Sequence, residues 1–476
     1  MPNQASRKFG FWFGLVLFFI LVIINPPTSI SHQAWLVAAV AVLMAVWWGT
    51  ESIPLPVTAL LPLALFPLMG IMSFKDAAAS YASPSVYLFL GGFILALAIQ
   101  SSGLHKRMAL SVITSFNNSA SGIVGILMAI SFFISMWVMN TSTTLMLLPI
   151  CLALSLNISE SLPNIDKENS RNFEIALFLG IAYASSMGGM SSLIGTAPNI
   201  VFAGFMQENF AMEISFIDWM KIALPIGLTM LVIGFFVLTK LLYPVQFNLN
   251  IEAKRKINQS LYKLGPMSID EKKVLILFGL TAFFWISRTH LNDYHIFANL
   301  TDAGIAIIAA ICLFIIPSQN KKTDLLVWDE TKKLPWGLLI LFGGGLSLAK
   351  AINNSGLGQW LGESFILAVN FEPWIIVLLV VTFIIFLTEL TSNTATTSTF
   401  LPIVASIGVA ASISPLHIAI PLVLASSLAF MLPVATPPNA IVYGSGKLTI
   451  RDMIKAGFVL NIFGIIIITG AYVLFF

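Results

Sequence analysis

Charge is the scarcest property of this chain. Only 9% of its 476 residues are Asp, Glu, Lys or Arg, against about 25% in an ordinary soluble protein, which excludes a cytosolic enzyme, a coiled coil and a disordered segment together. Cysteine is nearly absent: Cys151 and Cys312 lie far apart inside apolar runs, so neither a disulfide framework nor a thiolate metal site is indicated. The five histidines (His32, His105, His290, His295, His417) fall at the ends of apolar segments or in loops, and no His-based proton relay stands out. No Gly-Lys-Ser/Thr loop is present to bind a nucleotide, and no nucleophile–base pair or His/Asp metal cluster marks an enzyme. A formal charge of +3 without a basic patch interleaved with aromatics gives no reason to expect a nucleic-acid partner.

What the chain has instead is apolar length. Hydrophobic residues make up 58% of it and the mean hydropathy is +0.92; at ~20 residues per crossing there is room for roughly ten to twelve spans. Arg7 and Lys8 before the run from Phe11 to Ile24 resemble a signal peptide, but no small-residue cleavage site follows, and the chain passes through Asn25-Pro26-Pro27 into another apolar segment. This run is the expected first retained helix. Four stretches, 122–155, 173–210, 372–412 and 417–446, are too long for one helix and are interrupted by Asn, Thr, Ser, Gly or Pro. If 122–155 and 372–412 are re-entrant hairpins, about eleven transmembrane helices remain. That arrangement places 20 of the 24 Lys and Arg on one side, the asymmetry expected of a cytoplasmic face. It puts the N-terminus in the cytoplasm and the C-terminus outside. The expected fold class is an all-α polytopic membrane protein in the lipid bilayer.

The chain also repeats itself. Asn140-Thr141 with Pro149 recurs as Asn393-Thr394 with Pro402, at an offset of 253 residues, and Thr196-Ala197-Pro198-Asn199 recurs as Thr436-Pro437-Pro438-Asn439, at 240. Leu90-Gly91-Gly92 and Ser102-Gly103-Leu104 recur as Phe342-Gly343-Gly344 and Ser355-Gly356-Leu357. The first hairpin opens from the cytoplasm and the second from outside, so the halves are inverted. Inverted repeats with interrupted helices in matching places point to a secondary transporter with its site near the midplane.

Lipid cannot satisfy bare amides and carbonyls, so broken helices at membrane depth must be buried in protein or line a wet cavity. The two tips, 135–144 and 388–397, and the two breaks, 191–199 and 433–439, are rich in Ser, Thr and Asn and contain no Lys or Arg. Freed carbonyls and side-chain oxygens suit a hard monovalent cation. The half-helices that begin after each Asn-Thr direct their N-terminal dipoles at the tip and suit an anion. An anionic substrate held without a basic side chain has a physical reason to travel with cations. Glu389 is ionisable inside an apolar hairpin, and such a residue is a functional candidate. Its counterpart is Met136, so two roles stand: support of one tip, or a ligand.

Ser392-Asn393-Thr394, the repeated Asn140-Thr141, and the later Thr196…Asn199 and Thr436-Pro437-Pro438-Asn439 resemble the divalent anion:sodium symporter family over nearly the whole chain. That likeness implies di- or tricarboxylate or sulfate transport with Na+ as coupling ion, in a homodimer whose transport domain slides against a scaffold in an elevator motion. It implies a scaffold from 1–119 and 246–367 and a transport part from 120–245 and 368–476. By position it implies one sodium site at Ser135, Asn140 and Gly195 and another at Thr388, Thr391, Asn393 and Ala435. Substrate contacts would come from Asn140, Thr141, Thr196, Ser392, Asn393, Thr394, Thr436 and Pro437. Two positions depart from the family pattern: Met139 stands where its first Ser would be, and Ala197 where its first Pro would be. The leading expectation is sodium-coupled symport of C4-dicarboxylates such as succinate, malate or fumarate. The alternatives are a sodium-independent exchanger or proton-coupled anion permease on the same fold, and, from another class, an anion channel.

Overall fold

The structure is a computed structural model that describes residues 4–105, 107–108, 119–161, 166–247, 265–319, 323–364 and 371–475. Lys106, Lys254, Arg255, Lys256, Lys263, Lys321 and Lys322, which contribute to the charge asymmetry, and the boundary at 367/368 lie outside these residues. Among the described residues every regular element is a helix. Seven helical stretches of 19 to 28 residues are apolar and long enough to cross a bilayer. The arms Ala120–Ser135 and Pro373–Thr388 have 16 residues each, or about 24 Å at 1.5 Å per residue, short of a ~30 Å hydrocarbon core.

Each half runs in the same order. The first has Gln4–Ile23, His32–Thr50, a short-helix region from 55 to 82, Pro84–Ser101, the hairpin Ala120–Ser135 and Asn140–Ser161, the broken helix Lys167–Met190 and Ala197–Phe210, and Phe216–Phe236. The second has Ile269–Leu291, Asp302–Leu313, Trp336–Asn354, the hairpin Pro373–Thr388 and Asn393–Ala410, the broken helix Pro415–Ser426 and Pro437–Gly444, and Ile450–Phe475. The repeated Gly-Gly pairs serve close approach. A Cβ on Gly91 would sit 2.6 Å from the Ala306 carbonyl carbon, and one on Gly344 would sit 2.3 Å from the Ala59 carbonyl oxygen. Pro84–Ser101 thus packs on a helix of the second half, and Trp336–Asn354 on the first. Gly103 and Gly356 close the matching turns at φ +80° and +79°, a left-handed conformation that glycine adopts without steric cost.

The hairpins and broken helices interlock crosswise. Asn140–Ser161 packs against Pro437–Gly444, and Ala197–Phe210 packs against Asn393–Ala410. Each half-helix after a break therefore lies on the hairpin arm of the other repeat. Lys167–Met190 is buried almost throughout beyond its first turns, which makes it the centre of this unit. Buried Arg288 is ion-paired, meeting Asp302 at 2.8 Å and Glu213 at 3.0 Å, which offsets the cost of taking its charge out of water.

Candidate functional site

Both hairpin tips are built by the same side-chain bracket. Ser135 Oγ donates to Asn140 Oδ1 at 2.6 Å, and Thr388 Oγ1 donates to Asn393 Oδ1 at 2.8 Å. One turn on, Thr144 Oγ1 donates to the Asn140 carbonyl and Thr397 Oγ1 to the Asn393 carbonyl, both at 2.9 Å. Those threonines then reach across to the broken helix, Thr144 to Ser185 Oγ at 3.1 Å and Thr397 to Ser426 Oγ at 2.8 Å. The bracket directs each asparagine's carbonyl oxygen back into its own tip. Among the described residues no acceptor is bonded to either Nδ2. One amide thus offers an acceptor to a cation on one side and two N–H donors to an anion on the other.

The breaks are anchored by the second pair of asparagines. Asn199 Nδ2 donates to the carbonyls of Gly189 (3.2 Å), Met190 (3.2 Å) and Ser192 (2.7 Å). Asn439 Nδ2 donates to the carbonyls of Ala429 (3.1 Å) and Leu432 (3.0 Å), the counterparts of Gly189 and Ser192. Both side chains are fully buried, and both Oδ1 atoms have no partner among the described residues. These amides satisfy carbonyls that the helix has released, which a buried break requires.

The residues expected at the first cation site come together. A Cβ on Gly195 would lie 2.5 Å from the Gly189 carbonyl oxygen and 2.8 Å from that of Ser135. A Cβ on Gly189 would lie 2.1 Å from Asn140 Oδ1. Ser135, Asn140, Gly189 and Gly195 thus form one oxygen-lined corner that only glycines at 189 and 195 permit. Sequence reasoning missed Gly189; the Gly188-Gly189 pair just ahead of a break was its only signal. Ser192 Oγ also donates to the Met136 carbonyl, tying the first tip to the first break.

In the second half Thr388 and Asn393 meet, and Ala435 is buried with its amide donating to the Leu432 carbonyl. Thr391 is directed elsewhere: its hydroxyl donates to the Leu387 carbonyl at 3.0 Å and lies 2.7 Å from Thr396 Oγ1. Of the expected substrate contacts, Asn140, Thr141, Thr196, Ser392 and Asn393 are half-buried, Thr394 and Thr436 are buried, and Pro437 is exposed. The two half-helix starts differ. Thr436 Oγ1 accepts from Asn439 N at 3.3 Å, whereas Thr196 makes no such cap. Ala197 also keeps an amide hydrogen that Pro437 lacks. Met139 is half-buried against the core.

Glu389 resolves in favour of support. Its Oε1 accepts from Phe430 N (2.7 Å), Met431 N (2.9 Å) and Asn461 Nδ2 (2.7 Å), and its Oε2 from Met431 N (3.0 Å) and Leu432 N (3.2 Å). The carboxylate is buried and already engaged by main-chain donors. Asn461 was not anticipated, although a lone Asn within the apolar stretch 455–476 was a legible sign.

Comparison with known proteins agrees with this architecture. Residues 7–476 match the family model described as the sodium:sulfate symporter transmembrane region. The chain is 40% identical over 469 residues to the sodium-dependent dicarboxylate transporter SdcS of Staphylococcus saprophyticus, covering 98% of this chain and 90% of that one. It is 39% identical over 473 residues to SdcS of Staphylococcus aureus, covering 98% and 91%. Among solved structures it is similar in fold to the YdaH transporter of Alcanivorax borkumensis (TM-score 0.62, 14% identity, 93% of this chain and 98% of that one). MtrF of Neisseria gonorrhoeae is similar too (TM-score 0.59, 14% identity, 97% of each chain).

Proposed function

The chain belongs to the sodium:sulfate symporter family, and from that premise we propose that it carries a small dicarboxylate across the membrane together with sodium. The substrate class we favour is C4-dicarboxylates, succinate, malate or fumarate. The observation that carries this reading is the twin bracket, Ser135 with Asn140 and Thr388 with Asn393, at the starts of two hairpin arms that each pack on the broken helix of the other repeat. The sodium-dependent dicarboxylate relatives at about 40% identity support the choice of cation and cargo.

In this proposal one sodium ion sits at Ser135, Asn140 and Gly195 and the other at Thr388, Asn393 and Ala435, with the Thr391 hydroxyl turned to Leu387 and Thr396 and so left out of it. The dianion lies between the tips, against Asn140, Thr141, Thr196, Ser392, Asn393, Thr394, Thr436 and Pro437. No basic side chain occurs at these positions, so hydroxyls, amide N–H groups, helix dipoles and the cations hold it. Two sodium ions neutralise one dianion, so the loaded unit crosses without exposing net charge to a medium where each bare ion costs several kcal/mol or more. We further propose that the hairpin and broken-helix unit moves against the remaining helices in an elevator motion within a homodimer, with the N-terminus cytoplasmic.

Uptake of labelled succinate into proteoliposomes tests the reading. An inward sodium gradient should drive concentrative, saturable uptake that vanishes when choline replaces sodium. Uptake unchanged in choline would reject symport in favour of exchange or proton coupling. A non-saturating current would indicate a channel.

A further inference from the structure

The two broken helices stop in different places. The first runs past Ser185 to Met190, whereas the second stops at Ser426, the counterpart of Ser185 in its bond to the hairpin threonine. The cause is visible in the donors. In a continued helix the amides of Phe430, Met431 and Leu432 would reach the carbonyls of Ser426, Ser427 and Leu428, four residues back. Glu389 takes all three amides instead, and Asn461 Nδ2 fixes the carboxylate from the C-terminal helix.

The released carbonyls face an unusual neighbourhood. Thr388 Oγ1 lies 3.0 Å from the Ser426 carbonyl and 2.8 Å from Asn393 Oδ1. One hydroxyl hydrogen serves two acceptors, so three oxygens cluster around a single proton and one lone pair is left without a donor. Among the described residues no donor reaches the carbonyls of Ser427 or Leu428. Such an oxygen-rich, donor-poor cluster suits a small hard cation. In the first half, by contrast, the Met190 carbonyl is taken by Trp219 Nε1 at 3.0 Å as well as by Asn199, and Met136 stands where Glu389 does.

We propose that Glu389 is a positioning residue for the second sodium site: by drawing amides 430–432 out of the helical ladder, it presents the Ser426 carbonyl to the Thr388–Asn393 pair as a further cation ligand. This rests on the sodium-coupled reading above. Glu389 does not touch the ion or the anion. The two sodium sites then differ in construction, one shaped by glycines at 189 and 195 and the other by a carboxylate acting through the backbone.

The test compares the full-length wild type with Glu389→Gln and Asn461→Ala, using sodium-dependent thermal stabilisation of the purified protein and amide hydrogen exchange over 424–436. In Glu389→Gln the sodium concentration for half-maximal stabilisation should rise at least tenfold, while succinate affinity at saturating sodium changes less than threefold. Exchange at 430–432 should slow as these amides rejoin the helix. Asn461→Ala, which leaves the charge but loosens it, should raise the half-point at least threefold. A sodium half-point within twofold of wild type in a folded Glu389→Gln variant overturns the proposal. So does a raised half-point with unchanged exchange, which would make Glu389 a source of attraction only. Should Glu389→Gln not fold, Asn461→Ala decides alone, a threefold or larger shift supporting the proposal and an unchanged half-point overturning it. A wild type indifferent to sodium would instead sink the proposed function and the cation role with it, while exchange would still report whether the carboxylate holds the break open.

Discussion

The first tip and the second perform the same bracket in different surroundings. Around the first, Trp137 packs into aromatic neighbours, with ring centroids 4.9 Å from Phe278, 5.6 Å from Phe216 and 6.3 Å from Trp285, and the local contacts to the first break come from Gly189, Gly195 and Ser192. Around the second, the residue equivalent to Trp137 is Leu390, which is 70% exposed, and the break is held by the Glu389 carboxylate. One tip is secured by ring packing and close backbone approach, the other by a buried charge surrounded by N–H donors. Two copies of one motif can therefore keep their chemistry while their supports diverge, because the bracket needs only its own few oxygens in place.

The two tips are told apart most clearly when their asparagines are replaced. Asn393→Ala removes the bracket acceptor and the two N–H donors together; at about 1.5–3 kcal/mol for each bond to a charged group, uptake should fall by more than a hundredfold in a proteoliposome assay. Asn140→Ala should match it if the halves are functionally equivalent, and a mild loss there would place most of the binding on the second half. Next come the break anchors. Asn199→Ala leaves the Gly189 and Ser192 carbonyls without a donor, Met190 keeping Trp219 Nε1, whereas Asn439→Ala leaves only that of Ala429, Leu432 keeping the Ala435 amide. At about 1–3 kcal/mol per unsatisfied group, both should lower the melting temperature in detergent, Asn199→Ala by more. The reverse order would mean that water caps the first break.

Met139→Ser makes the first tip chemically more like the second. It adds to the first tip the hydroxyl that Ser392 supplies to the second, and should tighten succinate binding roughly tenfold, at the lower end of a charge-assisted hydrogen bond. Unchanged affinity would show that Ser142, or the uncapped Thr196 and the Ala197 amide, already fills that place. The smallest effect belongs to Thr396→Ala, whose hydroxyl meets Thr391 rather than the tip asparagine. A change in uptake of no more than a few-fold is expected, and a loss as large as that of Asn393→Ala would place Thr391 at the cation site through this bond.

Much of this molecule could be read along the chain. Apolar length marks the spans, and the matched Asn-Thr and Thr-x-Pro-Asn signatures mark the two tips and two breaks, because both depend on short-range spacing. Ser135 and Asn140 are five residues apart, as are Thr388 and Asn393, so their pairing follows from one turn of chain at a hairpin. The role of Glu389 did not follow in this way. Its amide partners are 41 to 43 residues away and Asn461 is 72 away. Gly189 was hard to read for another reason: beyond its pairing with Gly188, a glycine contributes space and a carbonyl but no side chain whose chemistry could announce it.

Composition and repetition were enough to establish a helical membrane protein of two related halves with polar interruptions, since burying backbone in lipid leaves few other solutions. How those interruptions are stabilised was settled by packing. The crossed pairing of each half-helix with the opposite hairpin, and the carboxylate that draws three amides out of a helix, depend on which distant segments come into contact. Local pattern carries no record of that, because the same hydrogen-bonding groups occur in every residue of the backbone, and only proximity in the folded chain selects their partners.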